Sequence, residues 1–207
     1  MVAEDATPPL PLGTWRRRLR SIVLLGENSH LQAYTPPPAG ITREACEREG
    51  FAFNNYRSAY NFLDDDACST VRIHFSPKQS HQAVTLQLRD WAGALLWIDG
   101  IQVDVPRDRD DAPLCEPYAN WADERFVYLQ TGGLWDHPLL NPTKIDMLGD
   151  IRGLLIWDSA KRLRHLELPE PTQAWTHPLL RVGDDALRIY PDGKAYQANR
   201  PDRTLPI

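Results

Sequence analysis

The sequence predicts a mainly β fold, all-β or α+β: an antiparallel sheet of consecutive hairpins, with a short helix or two in the N-terminal third. Three observations carry this. From Thr70 onward apolar and polar residues alternate with a period of two, which places every second side chain on one face of a strand. Turn residues recur at a spacing of roughly 8–12 residues, the rhythm of hairpin-linked strands. Proline is abundant, 18 of 207 residues, and because it neither donates to a ladder nor continues a helix, it favours many turns over long helices.

In chain order, residues 1–13 are rich in proline and are expected to form a flexible arm, with Trp15 as its anchor. Residues 14–207 then make a single β-rich domain, long enough to bury a core without staples. Residues 21–25 form a short apolar run closed by Gly26, a buried strand by its length. The prolines at 36–38 and Gly40 break the chain. A charged surface helix is expected over 43–49, with Thr42 as N-cap and Gly50 as its stop. In the aromatic segment 51–63, Phe53, Tyr56, Tyr60 and Leu63 fall on one helical face, so a helix is expected there, against a turn at Asn54-Asn55 between two strands.

Val71, Ile73 and Phe75 alternate with Arg72 and His74, and Val84, Leu86 and Leu88 with Thr85, Gln87 and Arg89, giving two half-buried strands. Residues 94–98 and 101–105 flank Asp99-Gly100, the strongest short hairpin signal in the chain. Residues 107–111 form a charged turn. The stretch 120–169 reads as three strands: one over 120–130, a turn at Gly132-Gly133 with a long insert over 134–150, one over 152–158, and one over 162–169. Strands at 179–182 and 186–190 meet across Gly183-Asp184-Asp185. A turn at Pro191-Asp192-Gly193 leads to a return strand over 194–197, and 199–207 is a polar, proline-containing tail.

Trp121-Ala122-Asp123-Glu124-Arg125-Phe126, Gly132-Gly133 and Leu155-Ile156-Trp157-Asp158 together resemble one blade of a WD-repeat propeller, over about fifty residues. The resemblance implies a four-stranded unit with a strand ending on Trp157-Asp158, and makes a small or irregular β-propeller the alternative fold. The chain departs from the pattern in having no Gly-His dipeptide, in its insert at 134–150, and in showing only a partial second copy near Leu187-Arg188-Ile189-Tyr190. Four blades of about 40–45 residues would consume nearly the whole chain, including an aromatic segment that fits none, so consecutive hairpins are preferred.

The formal charge of −5 gives no basic footprint for phosphate, so no nucleic-acid partner is expected. The apolar runs are too short for a membrane span or a secretory leader, which gives a cytoplasmic expectation with no membrane partner. Cys46, Cys68 and Cys115 form no Cys-x-x-Cys and read as free, mostly buried thiols. No nucleophile elbow, P-loop or dinucleotide fingerprint is present, no zincin histidine spacing occurs, and no cofactor, metal or catalytic residue is assigned. His74 and His81, on neighbouring strands, read as solvent-exposed. Most of the tryptophans read as core, because burying them removes large area from water.

What the sequence does present is a set of loops. Asp108, Asp110 and Asp111 cluster before Asp123 and Glu124, and the insert carries Trp135, Asp136 and His137. Loops on a rigid sheet are where function concentrates, and clustered acids steer a basic partner. The expectation is therefore a non-catalytic protein-binding domain of the immunity-protein kind, neutralising a toxin with a basic surface through these eight residues. One alternative is a carbohydrate-active or other hydrolytic enzyme using the carboxylates and tryptophans. Another is a structural subunit of a larger assembly.

Overall fold

The computed structural model describes residues 11–24, 35–66, 69–88, 93–107, 112–132 and 151–207. Among them the fold is mainly β, three antiparallel sheets of hairpins with few short helices. The first sheet runs in chain order through β1 (Ala52–Asn54), β2 (Ala59–Asp64), β3 (Ser69–Phe75), β4 (Gln82–Leu88), β5 (Leu95–Ile98) and β6 (Ile101–Val103). The second comprises β7 (Asn120–Trp121), β8 (Phe126–Gln130), β9 (Leu154–Asp158) and β10 (Leu163–Glu167), again in chain order. The third holds β11 (Leu179–Val182), β12 (Ala186–Tyr190) and β13 (Arg203–Pro206). The helices are α1 (Leu12–Leu24), α2 (Arg43–Arg48) and α3 (Gly193–Gln197).

Strand alternation decides how these layers stack. Tyr60, Ile73, Val84 and Trp97 align across β2 to β5 and pack with Leu12, Trp15, Leu19 and Cys46 of the helices. The opposite face, with Ala83, Leu96 and Ile98, meets Val127, Leu129, Leu155 and Trp157 of the second sheet. The far side of that second sheet, Phe126, Tyr128, Leu154 and Ile156, packs on Trp175, Leu180, Leu187 and Ile189 beside and within the third. The order is helices, sheet, sheet, sheet. The second sheet is thus covered on both faces, which is why Phe126-Val127-Tyr128-Leu129 and Leu154-Leu155-Ile156-Trp157 are unbroken apolar runs.

Several expectations hold. Thr42 caps α2, its hydroxyl accepting the Ala45 N–H at 3.2 Å, and Gly50 follows at φ +81°. Asp99 and Gly100 sit at φ 50° and 79°, the doubly left-handed turn that a two-residue hairpin requires. The hairpin of β11 and β12 forms across 183–185.

Others are corrected. The apolar run at 21–25 is not a strand: residues up to Leu24 complete α1, whose Leu12, Trp15 and Leu19 are buried at spacings of three and four. The helix also takes up the last residues of the expected proline-rich arm, while 1–10 lie outside the described residues. Segment 51–63 is a hairpin, not a helix. Asn54 Oδ1 accepts the Arg57 N–H at 3.2 Å, Ser58 turns the chain at φ 49°, and β2 pairs with β3 in the register Tyr60↔Ile73. A turn that closes on itself plus a long ladder outweighs a chance helical spacing. Residues 194–197 are helical because Asp192 acts as an N-cap, accepting the Ala195 N–H at 2.7 Å. The tail is not free: β13 pairs with β12 in the register Leu205↔Leu187.

No sheet closes on itself and no propeller forms among the described residues. The second sheet has the four strands that the blade resemblance implied, but its neighbours have six and three, so no four-stranded unit repeats.

Candidate functional site

Two sheet edges border one groove. β1 ends the first sheet and β7 ends the second. Between the β1–β2 turn and β7 lies an open groove of about 590 Å³, lined by Arg43, Phe53, Tyr56, Arg57, Ser58, His74, Phe75, Ser76, Pro77, Ala119, Asn120 and Trp121. No carboxylate is among these residues. Tyr56 at the turn is 86% exposed and Phe53 47%, large aromatic surface left in water.

The other groups are held in place. Trp121 donates its indole N–H to the His74 carbonyl at 3.3 Å and stacks on His81, with ring centroids 6.0 Å apart. His81 in turn meets Asp99 through Nδ1 at 2.7 Å. Tyr118 lies between two guanidiniums, Arg57 and Arg72, each 4.7 Å from its ring centroid, and meets the His74 ring edge-on at 6.2 Å. Arg57 also covers Tyr56, at 5.0 Å. Among the described residues neither Arg43 nor Arg57 is in an ion pair.

Beneath the groove the face shared by β2 and β3 is polar and poorly satisfied. Asn61 and Arg72 are partners in register, and His74 follows two residues on. Asn61 Oδ1, Arg72 Nε and His74 Nε2 are all buried without a hydrogen-bond partner. Such atoms are costly in a finished core. The expectation of an exposed His74 is corrected, since the residue is 2% exposed. Burial, with the Arg72 charge adding to it, pushes the imidazole down to about 3 against the opposing hydrogen bond to the Pro117 carbonyl. His74 is therefore neutral near pH 7.

Two residues of the sequence-predicted acidic surface are described, and both carboxylates are occupied by the chain's own donors. Asp123 Oδ1 accepts the N–H groups of Arg125 at 2.8 Å and Phe126 at 2.7 Å, shaping the turn into β8. Glu124 accepts from the Ser76 hydroxyl at 2.5 Å, the Lys78 N–H at 2.8 Å and the Ser80 hydroxyl, so it straps the β3–β4 loop beside the groove wall. Burial opposes its charge, yet these three bonds and a fourth from the Ser80 N–H at 3.4 Å together hold the carboxyl down to about 2. Asp108, Asp110, Asp111, Trp135, Asp136 and His137 lie outside the described residues.

Arg43, Arg57, His74 and Trp121 were missed. Reading 51–63 as a hairpin exposes Tyr56-Arg57 at its tip, a signal present in the sequence. For His74 there was none, because alternation placed it on the polar face. Cys46 and Cys115 are buried free thiols, each pushed up to about 12 by burial. Among the described residues no three His, Cys, Asp or Glu side chains gather as a metal site. Comparison of the chain with protein-family models, with curated proteins and with solved structures finds no match.

Proposed function

We propose that the chain is a non-catalytic protein-binding domain that grips its partner at the groove between β1 and β7. The observation that supports this reading is the exposed Tyr56, with Phe53, Arg57 and Trp121 around the same opening. Tyr, Trp and Arg are the residues that dominate the energetics of protein interfaces. Arg57 is braced by two tyrosine rings, so little side-chain freedom remains to be lost on binding. The one histidine in the groove stays neutral near pH 7, which suits a fixed acceptor better than a proton shuttle.

The test is affinity capture from the native host with the wild-type chain and with a Tyr56→Ala, Arg57→Ala double variant. The expected outcome is one protein enriched by the wild type and lost with the variant. Equal recovery with both, or no enriched protein, overturns the reading. Toxin neutralisation is its narrower form. It stands if the captured partner arrests growth when expressed alone and co-expression of this chain relieves the arrest.

A further inference from the structure

Resting on the protein-binding reading, we infer that the groove receives an acidic, extended peptide segment of the partner. Its carboxylate sits against Arg43 and Arg57, and its backbone lies along the edges of β1 and β7. Two observations select this occupant. The first is charge. Two guanidiniums line the groove, neither ion-paired among the described residues, and no lining residue is acidic. A carboxylate is the planar acceptor that a guanidinium fork matches. The chain's formal charge of −5 does not prevent this, because charges beyond about 8 Å are largely screened at physiological ionic strength.

The second observation is the frame. The groove runs between the end strands of two sheets, and Phe53 of β1 and Asn120 and Trp121 of β7 border it. Strand edges carry backbone groups that an extended segment can use. The sign is opposite to that of the basic partner expected for Asp108, Asp110 and Asp111.

The experiment is an amide and indole NMR titration of the full chain. Its probes are a blocked peptide Ala-Glu-Tyr-Glu-Ala, the isosteric Ala-Gln-Tyr-Gln-Ala, and sodium phosphate. The expected result is shifts at Tyr56, Arg57 and the Trp121 indole N–H with the acidic peptide, and binding at least about tenfold weaker for the glutamine peptide. An Arg43→Gln, Arg57→Gln double variant, altering exposed groups outside the core, should lose the acidic peptide while keeping its dispersed spectrum. Equal shifts with both peptides, the same shifts with phosphate alone, or no groove shifts up to about 10 mM peptide overturn the inference. Were a partner captured through the groove while no peptide moved these signals, this inference would fall and the protein-binding reading would stand. Selective acidic-peptide binding with no captured partner gives the reverse.

Discussion

Arg125 grips Asp158 with two parallel bonds: Nε donates to Oδ1 at 2.8 Å and Nη2 to Oδ2 at 2.5 Å. Asp158 is the second residue of the Trp157-Asp158 pair. It is 2% exposed and also accepts the N–H groups of Ala160 at 3.0 Å and Lys161 at 3.1 Å. The aspartate therefore ends β9 by tying its turn to the start of β8. Burial works against its charge, but Arg125 and the turn N–H groups prevail and hold the carboxyl below its ordinary range. Asp158→Ala removes the acceptor of all four bonds at once, whereas Arg125→Ala leaves the carboxylate its two turn N–H groups. Asp158→Ala is expected to cost about 3–5 kcal/mol. Arg125→Ala should cost less, about 1–2 kcal/mol, because the guanidinium is about one-third exposed and water partly replaces it. Urea denaturation of the two variants measures both, and negligible losses in both would show that the fork has no stabilising role.

Glu124 makes a separate prediction about the loop beside the groove. Its folded pKa, about 2, lies below the ordinary carboxylate value. A group depressed in this way stabilises the fold above its unfolded pKa, near 4.3, and loses that contribution as pH falls through about 2. Glu124→Gln removes the charge that Ser76, Ser80 and Lys78 serve. It is expected to destabilise the protein by about 1.5–3 kcal/mol at pH 7 and to flatten its acid denaturation between about pH 4.5 and 2. Thermal melts across that range check it; parallel curves for variant and wild type would rule the strap out.

How much of this was legible in the sequence depended on whether the deciding interaction was local. Thr42 with Gly50, and Asp99 with Gly100, announce a helix and a hairpin through the backbone chemistry of adjacent residues, and both form. The second sheet was legible in part: β9 and β10 form where runs of β-forming residues are read, but the single strand expected over 120–130 is a hairpin of β7 and β8, because Asp123 Oδ1 accepts the Arg125 and Phe126 N–H groups and turns the chain between them. Residues 51–63 carried a real helical spacing, and only the ladder between β2 and β3 overrides it. Asp192 was ambiguous, because an Asp-Gly pair is both a turn signal and an N-cap. The groove could not be read at all. It exists because β1 and β7, far apart in the chain, are edges of two sheets that stack, and no residue records that stacking by itself.

The buried thiols give a kinetic prediction. Cys46 and Cys115 are both 0% exposed, and both thiols are pushed up to about 12, Cys46 by burial and then by Glu47, Cys115 by burial. The thiolate is the form that attacks a disulfide reagent, so neither thiol should react in the native state at pH 8. In a Cys68→Ser background, labelling by an aromatic disulfide reagent is expected to be absent without denaturant. It should then appear for both cysteines together at the rate of global unfolding. Labelling of one cysteine under native conditions would show a local opening that exposes it.

His74 predicts the pH dependence on the acid side of neutrality. Its pKa is about 3 in the fold, lowered first by burial and then by Arg72, against about 6.5 in an unfolded chain. The unfolded state therefore takes up a proton that the native state refuses. Stability is at its full value above about pH 6.5 and declines as pH falls towards 3. The interval from about pH 6.5 to 5 lies above the window assigned to Glu124, which separates the two effects. His74→Gln keeps a polar side chain but cannot titrate. Whatever its stability at pH 7, its denaturation midpoint should fall less steeply than that of the wild type across this interval. Equal slopes would mean that the imidazole is not held neutral.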